Sequence, residues 1–265
     1  MSNWQAMATS ILPRRLRERL SRPVYHDRPS GLTIATFDGF EIAYRKNTAD
    51  EGVLAESFSH DGFFSAVREY HPAEDHVILD VGAHIGAFAL LAASKVPKGQ
   101  VYAIEACQDT YNFLRLNVAL NQVTNISIHR LALMDRRATV TLHHDSGNWG
   151  HSTVKRLSRH SEQVPARSLA DFMAECHIAQ CDLAKLNCEG AEFPILLNAP
   201  PDVLRRFSTL LVLYHCDLWT HHSEGDLCKH LENSGFTTEI RNRTRYRGWI
   251  VARSCALLGY NRARP

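Results

Sequence analysis

From residue 76 onward the chain alternates short apolar runs with longer stretches in which apolar residues recur every three or four positions. Short runs bounded by turn residues read as strands, and the periodic stretches read as helices. "VILDVG" predicts a strand and "IGAFALLAASKV" a helix; "QVYAIEA" and "DTYNFLRLNVALNQV" repeat the pair, and "NISIHRLAL" adds a strand. "ATVTLHH" predicts an antiparallel excursion, followed by a polar loop over 145–165. "SLADFMAEC" then predicts a helix, "LAKLN" a strand, "EFPILLNA" a short helix, "TLLVLYH" a strand and "GDLCKHLENSG" a helix. The last two strands, "FTTEIRN" and "YRGWIVARS", have no helix between them and should pair as an antiparallel hairpin at one side. Such alternation predicts an α/β fold: a mostly parallel sheet with helices on both faces.

Upstream the pattern differs. Residues 1–30 are basic and proline-punctuated, with Pro13 placed to open a helix through "RRLRERL". "GLTIATFDGFEIAYRKN" predicts two short strands around an Asp38-Gly39 turn. Val53, Leu54, Phe58, Phe63 and Phe64 have helical spacing. The expected division is an N-terminal extension and cap over 1–70 and a ligand-binding domain over 71–265.

Composition narrows the classes. A net charge of +2 gives no global pull toward nucleic acid, so no nucleic-acid partner is expected. No apolar run approaches the roughly 20 residues of a spanning helix. Arginines follow the first apolar patch where a secretory signal would place its cleavage site. The seven cysteines include no C-x-x-C pair, which argues against a disulfide framework and a structural zinc site. A cytoplasmic protein is expected. Oligomeric state leaves no signature, and a homo-oligomer is compatible with the chain.

The candidate chemistry sits in "ILDVGAHIGAFALLA", residues 78–92. Asp80 ends the first sheet strand, and Gly82 and Gly86 frame the turn into a helix. Open α/β sheets bind ligands at this position, where bare glycines let a ligand near the backbone and the N–H groups of the helix start. G-x-x-x-G is not the G-x-G-x-x-G of a pyrophosphate binder, and an acid before the turn suits an ammonium better than a diphosphate. Glu105, 19 residues past Gly86, ends the next strand where a carboxylate can accept both hydroxyls of a ribose. An ammonium, a ribose and no phosphate together describe S-adenosylmethionine.

The run "ILDVGAHIGAFALLAA…VYAIEACQDTYNFLRLNVALN…RLAL", then "GHST", then "DLAKLNCEGAEFPIL", resembles the FkbM-family S-adenosylmethionine-dependent methyltransferases over roughly residues 50–215. The resemblance implies a class I, Rossmann-like methyltransferase fold with a seven-stranded sheet and an antiparallel last strand. It also implies S-adenosyl-L-methionine as donor and transfer to a hydroxyl of a sugar, glycan or secondary metabolite. Asp80, Gly82, Ala83, His84 and Gly86 would hold the methionyl part, Glu105 and Ala106 the ribose, and Ala132 of "RLAL" would lie by the adenine. Two positions depart from the family pattern: Asn187 replaces an acid two residues before the "EGAE" glutamate, and Leu213 replaces a glutamate two residues before His215.

A hydroxyl acceptor needs a base near the sulfonium. Glu189 is the first candidate, His215 the second and His151 the third, while Trp149 can stack on an acceptor ring and the Asn187 amide can orient acceptor or cofactor. Asn187 breaks the carboxylate cluster that a metal-assisted route would need, so no metal is expected. Cys188 reads as a small buried residue. Two other readings stay open: RNA or protein methylation, and a catalytically degenerate cofactor-binding scaffold. The arginines of "EIRNRTRYRGW" read as a solvated hairpin face or as a phosphate contact.

Overall fold

The computed structural model describes residues 30–59, 62–145 and 150–256. The expected helix after Pro13 and the side chain of Trp149 lie outside the described residues. The chain begins with an antiparallel hairpin of β1 (Ser30–Phe37) and β2 (Phe40–Lys46), followed by helix α1 (Ala49–Phe58), whose N-terminus Thr48 caps through its hydroxyl. A short 3₁₀ segment, Gly62–Val67, leads into the sheet.

Strands β3 (Val77–Val81), β4 (Gln100–Glu105) and β5 (Ile126–Arg130) run parallel and step to one side of the sheet. Helices α2 (Ala87–Lys95) and α3 (Gln108–Leu120) connect them. β9 (Cys181–Leu186) and β10 (Phe207–His215) then step to the other side, β9 lying against β3. The order therefore reverses between β3 and β9, and the carboxyl ends of those strands part around a crevice. β12 (Arg247–Ser254) is antiparallel both to β10 and to β11 (Phe236–Arg241), and it lies between them. The final order is β11-β12-β10-β9-β3-β4-β5, with the reversed last strand that the sequence predicts. Leu210 to Leu213 of β10 are all buried, as a strand covered on both faces requires.

The expected loop over 145–165 is in part a strand. β8 (Ser161–Ser168) is the centre of a second sheet, between β6 (Ala132–Met134) and β7 (Ala138–His143). Its sequence, "SEQVPARS", buries only Val164 and Ala166 deeply and carries Pro165, so the apolar signal is weak. Four further helices follow among the described residues: α4 (Leu169–Glu175), α5 (Glu192–Leu197), α6 (Pro201–Leu204) and α7 (Glu224–Asn233).

α2 is apolar all round because it is covered on two sides. Phe88, Ala89 and Ala92 join the core of the sheet, while Ala87 and Leu90 pack with Ile42, Tyr44 and Leu54 of the hairpin and α1. Asn117 of α3 ties the hairpin down. Its side-chain oxygen accepts from Ala43 N–H at 2.7 Å, and its amide donates to the carbonyls of Ala43 at 3.0 Å and Ile85 at 2.8 Å. The N-terminal elements are thereby fixed against the turn that precedes α2.

Candidate functional site

A cleft opens at the crevice where the strand order reverses, enclosing about 910 Å³ of space that includes open solvent. Of the residues singled out in the sequence, Gly82, Ala83, His84, Glu105, Ala106, Ala132, His151, Asn187 and Glu189 border it. Asp80, Gly86 and His215 stand behind the wall.

The corner after β3 is built differently from the sequence expectation. Gly82 has φ +74°, and a Cβ there would run into the Asn187 carbonyl oxygen, so glycine is demanded by the close crossing of two loops. At Gly86, with φ +90°, a Cβ would come within 2.6 Å of Leu114. Four N–H groups of the turn before α2 are taken by the protein itself. Gly82 and Ala83 donate to the Ile104 carbonyl, Gly86 donates to the Ala83 carbonyl, and His84 donates to Glu105 Oε2 at 2.9 Å. Such a corner has little left to offer a phosphate.

Glu105 also accepts from Cys107 N–H at 2.9 Å. Burial raises its carboxyl, and the backbone donors at Cys107, His84 and Ala106 counter that shift. With three backbone donors on two oxygens, the carboxylate keeps acceptor capacity for a ligand hydroxyl. Ile104, Leu131, Leu133 and Leu142 supply an apolar wall to the same cavity.

Asp80 is shared with a lysine: its Oδ1 is engaged, while its Oδ2 has no hydrogen-bond partner among the described residues. Lys185 of β9 donates to Asp80 Oδ1 at 2.7 Å and to the Gly82 carbonyl at 3.2 Å, both side chains being buried. The Phe63 and Phe88 rings flank the Lys185 ammonium at 5.0 and 5.5 Å. Lys185 borders the cavity, as does Glu56 of α1, an acid the sequence did not single out. Glu56 is exposed on the cavity wall, and desolvation by the protein around its carboxyl pushes it up to about 7 against the opposing pull of Lys185.

At the end of β9 the backbone turns sharply. Glu189 has φ +49° and Gly190 φ +97°. Three hydrogen bonds hold the loop: Ser152 Oγ to the Glu189 carbonyl at 2.8 Å, Trp219 Nε1 to the Gly190 carbonyl at 2.8 Å, and Gly190 N–H to Glu192 Oε2 at 2.9 Å. A left-handed glutamate held this firmly is the kind of strain that surrounding structure must over-determine. Gly150 packs directly on the Glu189 carboxylate.

His215 is fully buried between two carboxylates, with Nδ1 at 2.9 Å from Glu192 Oε1 and Nε2 at 3.4 Å from Glu189 Oε1. Burial alone would lower its pKa; Glu189 and Glu192 overcome that and push it up to about 10. A histidine raised this far and set between two carboxylate acceptors suits a cation that orients Glu189 better than the role of base considered for it. Burial works to raise the Glu189 carboxyl, but His215, together with Arg247 at 3.6 Å, outweighs it and holds the carboxyl below its ordinary range. Glu189 is an anion on the cavity wall.

His151 borders the cavity but is poorly suited to act as a base. Its Nδ1 accepts from Asp145 N–H at 3.0 Å, so the neutral ring carries its proton on Nε2. Burial, then His144, His84 and Arg45, depress its pKa to about 3. Cys107, His144 and His151 bring three potential metal-ligand atoms within 4.8 Å of one another. As arranged, however, Nε2 of His151 is protonated, burial pushes the Cys107 thiol up to about 11, and His144 faces Glu162 at 3.3 Å. Cys188 stays a thiol, burial and Glu192 raising it well above its ordinary value. Three of the four arginines of the C-terminal hairpin meet acids, Arg241 with Glu69 and Glu239, Arg243 with Glu224 and Arg247 with Asp217, while Arg245 lies over the Tyr246 ring.

The family model described as the methyltransferase FkbM domain matches residues 80–238. Methyltransferase 1 of Beauveria bassiana is 25% identical over 191 residues, covering 63% of this chain and 74% of that protein. The AMB antimetabolite synthetase AmbE of Pseudomonas aeruginosa is 25% identical over 255 residues, covering 81% of this chain but 12% of AmbE. The chain therefore spans about three quarters of the first relative's length and about an eighth of the second's. Among solved structures, methyltransferase FkbM from Methylobacillus flagellatus KT gives a TM-score of 0.46 at 14% identity, covering 68% of this chain and 44% of that one. M. jannaschii TYW2 in complex with AdoMet gives 0.42 at 15% identity, covering 83% and 84%.

Proposed function

Because the chain belongs to the FkbM methyltransferase family, we propose that it is an S-adenosylmethionine-dependent O-methyltransferase acting on a hydroxyl of a sugar, glycan or secondary metabolite. The residues of the cavity fit such a donor. Glu105 offers a carboxylate for a ribose diol beside the apolar wall of Leu131, Leu133 and Leu142, which suits an adenine. Asn187 Oδ1, His151 Nε2 and the buried Ser57 Oγ make no hydrogen bond among the described residues, leaving polar demand for a ligand to meet. The one lysine on the wall is neutralised by Asp80, which disfavours a diphosphate ligand.

When bound, S-adenosylmethionine supplies an electrophilic methyl group on a sulfonium. An alcohol oxygen becomes a competent nucleophile as its proton departs, and the observation that carries the O-methyl reading is the ionised Glu189 carboxylate on the cavity wall. In this reading Glu189 accepts the acceptor's proton. His215, a fixed cation held by Glu192, orients the carboxylate from behind, and Arg247 braces its other oxygen. A proton taken up by Glu189 lies beside an imidazolium and a guanidinium, so it is readily released to solvent. The likeness to a stretch of an antimetabolite synthetase supports a secondary-metabolite acceptor. The matched arginines of the C-terminal hairpin argue against RNA.

A screen of hydroxyl-bearing acceptors for uptake of labelled methyl tests the proposal. With an accepted substrate, Glu189→Gln should lower kcat about 100-fold or more while leaving affinity for S-adenosylhomocysteine within about twofold. Undiminished turnover in that variant would remove Glu189 as the base.

A further inference from the structure

Three acids border the cavity: Glu56, Glu105 and Glu189. Two are committed. Glu105 receives His84 and Cys107 N–H groups, and Glu189 faces His215 and Arg247. Glu56 forms no hydrogen bond or ion pair among the described residues, although Lys185 acts on it electrostatically. Lys185 in turn is bonded to Asp80. The trio of Asp80, Lys185 and Glu56 therefore carries one negative charge in excess whenever Glu56 is ionised, and it lies next to the Gly82 carbonyl, whose neighbours Ala83 and His84 border the same space.

A second observation points the same way. Ser57, the next residue of α1, is fully buried and borders the cavity, and its hydroxyl has no partner among the described residues. An uncompensated acid and an unsatisfied hydroxyl, adjacent on one helix, match the two poles of an α-amino acid. Glu105 and the leucine wall take up the nucleoside side of the cavity, leaving the Phe63, Phe88 and Lys185 side for the amino-acid end.

We propose that α1 forms the amino-acid clamp of the methyl-donor site: Glu56, rather than Asp80, accepts the α-ammonium, and the Ser57 hydroxyl donates to the α-carboxylate. This rests on the S-adenosylmethionine reading above. It gives the segment before the family-matched region a direct part in donor binding, with Asp80 acting one step back by holding Lys185.

The test compares two ligands by calorimetry. S-adenosylhomocysteine carries the amino acid; 5′-methylthioadenosine keeps the nucleoside and thioether but lacks it. Glu56→Gln should weaken S-adenosylhomocysteine at least tenfold and Ser57→Ala about threefold or more, while both variants bind 5′-methylthioadenosine within twofold of wild type. The second ligand doubles as the check that each variant is folded. Wild-type affinity of Glu56→Gln for S-adenosylhomocysteine, or an equal loss for both ligands, would overturn the clamp while leaving the donor reading intact. Failure of the wild type to bind either ligand would overturn the donor reading itself, and the clamp with it.

Discussion

His215→Gln removes the cation from between Glu189 and Glu192, and the structure fixes both the size and the pH dependence of the effect. The ring is fully buried and holds its proton up to about pH 10, against about 6.5 in an unfolded chain. Between those values the folded protein binds a proton that the unfolded chain has lost. The stabilisation from this group is therefore complete below pH 6.5 and declines as pH rises through 10, at about 1.4 kcal/mol per pH unit. Near neutrality, breaking a buried pair of this kind costs about 3–5 kcal/mol, because two carboxylates are left facing each other without their cation. Urea unfolding of wild type and variant at pH 7.0 and 8.5, under conditions where fluorescence and circular dichroism transitions coincide, gives the gap between them at each pH. The buried thiols of Cys107, Cys181 and Cys216 are also raised and add their own decline above pH 8, but that contribution cancels in the difference. The gap should narrow by about 2 kcal/mol across the interval. A gap that stays constant would show that His215 is neutral in the folded protein, and the account of Glu189 as a held anion would go with it.

Two further substitutions address the frame of the site. Gly82→Ala combines a left-handed φ with a collision against the Asn187 carbonyl, so it should cost about 2–5 kcal/mol and lower Tm by several degrees, read by calorimetry. Asn117→Ala strands the Ala43 N–H and leaves the Ala43 and Ile85 carbonyls short of a donor; a loss of about 2–4 kcal/mol is expected, with weaker donor binding as the hairpin loosens from the turn before α2.

The sheet and its crevice were legible because their signals are local. Strands β3, β4, β10 and β12 carry compact apolar runs, and the acids Asp80 and Glu105 stand at strand ends where side-chain direction is set by the backbone. What the sequence hides depends on partners far apart in the chain. Nothing near "VLAES" marks Glu56 as anything but the polar face of a helix; it reaches the cavity because α1 packs on α2. Asp80 reads as a free acid until β9 brings Lys185 beside it, 105 residues on. The charge of His215 comes from Glu189 and Glu192, whose convergence needs the tight turn after β9. A histidine at a strand end offers either a base or a fixed cation, and burial between two acids decides which.

Central to the account is a cavity that takes S-adenosylmethionine with its ribose on Glu105. Calorimetric titration of S-adenosylmethionine and S-adenosylhomocysteine into wild type and Glu105→Ala measures this most directly. Wild type should bind both ligands, and the variant at least tenfold more weakly, while its unfolding midpoint shows it remains folded. A folded wild type that binds neither ligand, or a variant that binds both as tightly as wild type, would contradict it.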